Sequence, residues 1–338
     1  MSSKPRRTST PAPDAKADRS RRRRIRLLVV AGAVVVLAGG AAAVSLVAGH
    51  GQHAGAATVG CSASPSSCGY PDASNTGAGT TLKSVPSDVS SGTGWHYDSR
   101  GYVQVDGNGA NLTGLSIVGG VNIVANNVTL NNDKIVSNGP QGIAVSLRHT
   151  SNVTITHCTI MGTDTGSGRI LAGVKDIFGD STGIQVTSNN ISMFETGVQL
   201  EAGLVKDNYI HDPGFIALDH TNGIMSNGGT TPLTITHNTV FNNFGQADAI
   251  ALFEDFSTQA NRNITNNLVA GGAYSIYGGA TKTSEPTSNI VITGNRIATQ
   301  FFAKGGAYGP IAYFDPSGQG NTWSNNTWDT SRLSIPSP

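Results

Sequence analysis

Apolar positions in this chain recur at a fixed interval. Gly197-Val198-Gln199-Leu200 is followed by Gly223-Ile224-Met225-Ser226, Ala249-Ile250-Ala251-Leu252 and Ser275-Ile276-Tyr277-Gly278, so the apolar second residue advances in three steps of 26. A fixed period of roughly 20–50 residues signals stacked repeats. A second ladder runs out of phase with the first. It reads Asn189-Asn190-Ile191, Asn208-Tyr209-Ile210, Asn238-Thr239-Val240, Asn267-Leu268-Val269 and Asn295-Arg296-Ile297. Asn326-Thr327-Trp328 is a degenerate last copy, and Asp133 and Cys158 hold the same place upstream. From Asp133 onward the steps are 25, 31, 19, 30, 29, 28 and 31, which suits a minimal coil carrying loops of varied length. Two such ladders, each alternating in and out, predict a parallel β-solenoid. Asn tolerates the left-handed conformation of a tight bend, and stacked Asn side chains can hydrogen-bond along an axis. Both roles are expected of the ladder asparagines.

Segments such as Asn152-Val-Thr-Ile-Thr-His157 and Leu233-Thr-Ile-Thr-His-Asn238, together with the Gly-Ile strands, resemble the right-handed parallel β-helix superfamily. That superfamily includes pectate lyases, polygalacturonases and many secreted bacterial proteins. The resemblance spans Trp95 to Trp328 and implies an all-β fold, a single right-handed β-helix of about ten coils. Coil repeats are scaffold residues, so it says less about activity.

Composition agrees with a solenoid: 43 Gly and only 13% charged residues in 338. The net charge of +1 hides an asymmetry. Residues 1–26 hold ten Lys or Arg and two Asp, which leaves 12 basic and 19 acidic residues for the rest. The basic character thus belongs to a tail, expected to be disordered and cytoplasmic. The mildly acidic body argues against a nucleic-acid partner. Residues 27–49 carry no charge and follow four consecutive Arg, which predicts a signal peptide or an uncleaved signal-anchor spanning the membrane, with the body exported. The body is therefore expected to be secreted, or membrane-anchored and extracellular, and to work as a monomer. Val59-Gly60-Cys61 is a faint lipoprotein box. Residues 50–93 read as a Gly/Ala/Ser-rich linker in which Cys61 and Cys68 form a small disulfide loop. The segment from Cys68 to Gly77 resembles stretches that cap or enter β-helices. Cys158 reads as a buried apolar residue. Residues 94–330 form the β-helix domain and 331–338 a frayed end.

Equivalent residues on successive coils stack about 4.8 Å apart, so one residue per coil makes a column. Two positions before the apolar residue stand Thr196, Asn222, Asp248 and Tyr274; one after it, Gln199, Met225, Ala251 and Tyr277; three after it, Glu201, Asn227, Phe253 and Gly279. The first of these columns resembles the catalytic column of polygalacturonases, which carries Asn-Thr-Asp-Gly-Ile, then Asp-Asp before an apolar residue, then Gly-His-Gly-Ile. Here Asn222, Ala247 and Tyr274 replace two acids and the His, and Asp248 alone survives. Inverting hydrolysis needs a carboxylic acid and a carboxylate base, so a hydrolase is the weaker reading. Elimination from a uronic acid needs a group to neutralise the sugar carboxylate and a base for the C5 proton. His220, His211, Lys206 and Tyr274 are candidate bases, with Asp219, Asn222 and Asp248 beside them. Glu201, Gln199, Asn227, Arg169, Lys175 and Tyr277 are candidate substrate-binding residues, Arg169 and Lys175 lying on a charged excursion from 163 to 180. Glu254 and Asp255 form either a calcium site or a solvated loop tip, which makes calcium the one cofactor in view. Tyr308 and Tyr313, on an insertion from Lys304 to Ser317, are placed to stack on sugar rings or to pack a helix end. The leading expectation is an extracellular polysaccharide lyase on a uronic-acid-containing glycan; the alternatives are a noncatalytic cell-wall or glycan-binding protein and an altered hydrolase.

Overall fold

The structure, a computed structural model, describes residues 59–139, 141–281 and 286–338. The basic tail and the apolar segment 27–49 lie outside the described residues. Among those described, no helix is long and apolar enough to cross a membrane; two 3-10 turns, Cys61–Ala63 and Pro65–Cys68, are the helical elements.

Three sheets wrap one core, parallel throughout except where Ser91–Gly92, Trp95–Asp98 and Tyr102–Val105 pair antiparallel at the start of sheet B. Each turn of chain adds a strand to sheet C, then to sheet A, then to sheet B, as Thr154–Thr156, Thr159–Met161 and Ile170–Asp176 do. The sheets hold nine, ten and eleven strands respectively, so the solenoid has about nine full turns. Alternation within each short strand sends one apolar residue inward per coil. Sheet A stacks Ile135 on Ile160, Ile191, Ile210 and Val240. Sheet B stacks Val174 on Val198, Ile224, Ile250 and Ile276, the register that the 26-residue period implies. These residues are fully buried or nearly so, and the hydrophobic effect acting on them is the main stabilising term.

The bend between sheets C and A carries the asparagine ladder. Asn189, Asn208, Asn238, Asn267, Asn295 and Asn326 are all fully buried. From Asn208 onward each side-chain oxygen accepts the backbone and side-chain N–H of the Asn one coil before it, at 2.9–3.0 Å, and Asn189 accepts the Cys158 N–H at 2.8 Å. Each side-chain nitrogen also donates to a strand carbonyl, as Asn238 does to Val205 at 2.9 Å. The axial hydrogen bonding expected of these residues is therefore present. The left-handed role is not theirs. It falls to the residue before: Asn132, His157, Ser188, Asp207, His237, Asn266 and Asn325 have φ of 51° to 58°. The ladder Asn must instead turn its amide into the bend, where only its own kind can satisfy it. His157 and His237 occupy this bend position, and His237 pairs with Asp207 at 2.6 Å.

Both ends of the chain differ from expectation. Residues 59–82, read as part of a linker, lie along the solenoid from its last coil to its first. Ser62 donates to the Asp329 carboxylate at 2.9 Å, Gly77 to the Ser188 carbonyl at 3.1 Å and Gly79 to the Asn132 side chain at 2.6 Å. Cys61, disulfide-bonded to Cys68, packs with Tyr70, Phe241, Leu268, Ala270 and Ala298. Lys83–Val85 then enters sheet A beside Leu115–Val118. The C-terminal segment 331–338 is not frayed: Ile335 is buried, its N–H donates to Asn326, and its carbonyl accepts the Trp323 indole at 2.8 Å. An open solenoid end exposes its apolar stack, and Ile335 covers it.

Candidate functional site

The outer face of sheet B departs from simple alternation at one column, and this opens a cleft. At Gly173, Gly197 and Gly223 a side chain would point inward, where a Cβ would meet Ile191, Ile210 and Val240 at 2.8, 2.7 and 2.4 Å. The same column continues as Ala249 and Ser275, both fully buried. Small residues here let the strand bend toward sheet A. The neighbours Ala172, Thr196 and Asn222 consequently face outward although Val174, Val198 and Ile224, two residues on, face inward.

The cleft encloses about 460 Å³. Thr196 and Asn222 line one side and Lys175, Gln199, Met225 and Asn227 the other, with Glu195, His220, Phe253 and Asp255 at the rim. Four of these polar side chains have no partner within the described protein: the Lys175 ammonium, the Gln199 and Asn227 amides and the His220 imidazole. Gln199 and Asn227 are 8% and 7% exposed, and the Asn227 carbonyl oxygen is buried without a hydrogen bond. Buried polar atoms are ordinarily paired, and the Asn227 oxygen departs from that rule. Asn222 is bound internally, donating to the His220 carbonyl at 3.0 Å and accepting from the Asp248 N–H at 3.3 Å. An aromatic wall continues beyond Phe253. Phe253 lies 5.1 Å from Tyr277, Tyr277 4.6 Å from Tyr313, and Tyr274 5.9 Å from Tyr308. Tyr308 and Tyr313 are largely exposed. Burial raises the Tyr277 phenol, with the neighbouring Tyr313 adding to it.

Several expected site residues lie elsewhere. Arg169 and Asp219 bind each other through two hydrogen bonds and are nearly buried; Glu195 joins Arg169 at 3.1 Å, and the Ile216 N–H donates to Asp219 at 2.8 Å. Their charges are paired with each other within the protein. Burial, then the Asp219 charge, raises the Glu195 carboxyl. His211 lies on sheet A, stacked on Tyr209 and bonded to Asp212 and Asn190. Lys206 lies on sheet C beside Asp207. Neither reaches the cleft. Asp248 is 3% exposed and accepts the Tyr274 N–H at 2.8 Å; burial pushes its carboxyl up to about 7. Its neighbour Ala247, not Asp248, lines the cleft. Glu254 and Asp255 diverge: Glu254 is buried, accepting from the Gln259 N–H and the Thr281 hydroxyl, whereas Asp255 faces the cleft. They do not make a calcium site together, and no group of three metal-ligating side chains occurs among the described residues.

A second cleft of about 480 Å³ lies beside the first and meets it at Gln199. Glu201 lines it with Asp176, Asp180, Phe178 and Phe256. The sequence columns located Glu201, Gln199 and Asn227, because they belong to the repeat. Glu195, Phe178 and Phe256 were missed. Glu195 sits one place before the column that starts at Thr196, and the two Phe stand on loops that no period reaches.

The family model for the right handed beta helix region matches residues 87–255, half of the chain. No curated protein matches.

Proposed function

The chain belongs to the right-handed β-helix family, a fold consistent with carbohydrate-active proteins, and on that scaffold we propose an exported protein that binds an acidic glycan on the outer face of sheet B and cuts it by β-elimination. The observation that carries this reading is the set of unpartnered polar groups in one cleft: Lys175, Gln199, His220 and Asn227. A uronate fits them. The Lys175 ammonium meets the sugar carboxylate in a charge-assisted pair and stabilises the negative charge that grows there as the C5 proton leaves. The His220 imidazole takes that proton, the C4–O bond breaks as the C4=C5 bond forms, and the leaving oxygen takes a proton from solvent. The aromatic wall of Phe253, Tyr277 and Tyr313 offers ring faces to the adjoining sugars. The Cys61–Cys68 disulfide supports export, since such bonds persist in oxidising compartments.

The test is incubation of the purified protein with uronic-acid polysaccharides while following ultraviolet absorbance of the unsaturated product. Calcium and chelator arms ask whether a metal takes part. A rise that His220→Ala lowers by about 10²–10⁴-fold supports elimination with His220 as base. New reducing ends without absorbance mean hydrolysis instead. A second reading, noncatalytic glycan binding, draws on one observation: among the described residues no side chain hydrogen-bonds the His220 ring. Binding without either product would establish it.

A further inference from the structure

The two clefts occupy the same coils but differ in charge. The first holds the Lys175 ammonium, with Glu195 and Asp255 also lining it. The second is lined by Asp176, Asp180 and Glu201, and no Lys or Arg lines it. Its carboxylates are held in place. Asp176 accepts the Ser181 N–H and hydroxyl at 2.9 Å each, Asp180 pairs with His149 at 2.6 Å, and one Glu201 oxygen accepts the Ser226 hydroxyl and the Asn227 N–H at 2.6 and 2.8 Å. Burial raises the Glu201 carboxyl, while the hydrogen bonds from Ser226 and Asn227 and the nearby Arg262 charge favour its ionised form. Two further features mark a built site. Phe178 and Phe256 are 54% and 83% exposed; Phe178 stacks on His149 at 4.1 Å with the Arg148 guanidinium 5.8 Å from its centre, whereas the Phe256 ring has no aromatic partner among the described residues. The Gln199 amide, nine-tenths buried and unpartnered, borders both clefts.

We propose that the second cleft is a sugar subsite for a unit that lacks a carboxylate, so that the ligand is a glycan in which a uronate adjoins a neutral or amino sugar. This rests on the acidic-glycan reading of the first cleft. Phe256 stacks on the sugar ring, with the Phe178–His149 stack as the cleft's apolar edge, Glu201 and Gln199 take its hydroxyl or amino groups, and a second uronate is rejected by like charge. Because the clefts lie side by side within the same coils, a glycan filling both crosses sheet B along its strands rather than running down the solenoid.

Calorimetric titration of the full chain with two oligosaccharides of equal length tests this, one alternating uronate and hexosamine, the other all uronate. The alternating chain is expected to bind at least about tenfold tighter, since like charges placed together suppress the wrong partner. Phe256→Ala should weaken the alternating chain by about tenfold and spare the all-uronate one. Glu201→Gln, which keeps an acceptor for Ser226, should strengthen all-uronate binding and narrow the gap, with thermal melting confirming that both variants fold. Equal or tighter all-uronate binding by the wild type, or an unchanged preference in Glu201→Gln, overturns the subsite. Failure of both oligosaccharides to bind overturns the acidic-glycan reading itself, and this inference with it.

Discussion

The asparagine ladder and the sheet B cleft are both columns of polar side chains stacked coil on coil, and they differ in where their hydrogen bonds go. Asn238 accepts from Asn208 and donates to Asn267, Val205 and Thr236. Every polar atom of its amide is engaged inside the protein, so its work is to hold the bend. Lys175 and Gln199 stack on the outer face of sheet B with His220 and Asn227 close by, and among the described residues none of these side chains makes a hydrogen bond. The stacking geometry is the same in both. What separates scaffold from site is whether the chain itself completes the hydrogen bonds, and residue type alone does not reveal that.

The sharpest way to break this comparison is a polar group that looks like site but pairs like scaffold. Asp219→Ala removes one of the two carboxylates paired with buried Arg169, Glu195 being the other, and should lower stability by about 3 kcal/mol, the low end for breaking a buried ion pair. Urea unfolding measures it; a loss below the scatter of surface substitutions would keep Asp219 among the candidate bases. Next is Asn238→Ala. It strips the acceptor from Asn208 and should lower stability by about 2–3 kcal/mol while leaving glycan affinity unchanged.

The pH dependence of stability sharpens the same point. Burial pushes both Asp133 and Asp248 from 3.8 up to about 7. Between those values the folded state binds more protons than the unfolded one. Their contribution is therefore complete below about pH 4, falls as pH rises through 7, and is flat above it. Each group contributes a slope of at most about 1.4 kcal/mol per pH unit. Asp248→Asn should flatten part of that fall and raise the melting temperature at pH 8 relative to wild type. An unchanged pH profile would show that Asp248 is solvated, and would reopen the hydrolase reading. The smallest expected effect on stability belongs to the cleft: Lys175→Ala should change it by no more than about 0.5 kcal/mol.

The periodicity made much of this legible before any coordinates. The 26-residue step placed Val198, Ile224, Ile250 and Ile276 in one inward stack, and the column beside them contained Gln199 and Met225 of the cleft. It misled where proximity in sequence stood in for proximity in space. Each coil has three sides, so a shift of a few residues carries a side chain to another sheet, as happened with His211 and Lys206. The Arg169–Asp219 pair joins residues 50 apart on two excursions from the repeat, where no period operates. The ladder asparagines looked like turn formers because the residue that does take the left-handed bend varies freely, from Asn132 to His157 to Ser188 to Asp207.

The most direct test of the central claim is calorimetric titration of the purified protein with a uronic-acid oligosaccharide, beside Lys175→Ala. The account predicts binding by the wild type and a loss of at least about tenfold in the variant at an unchanged melting temperature. Equal affinity in the two proteins, or no binding by the wild type to any acidic glycan, would contradict it.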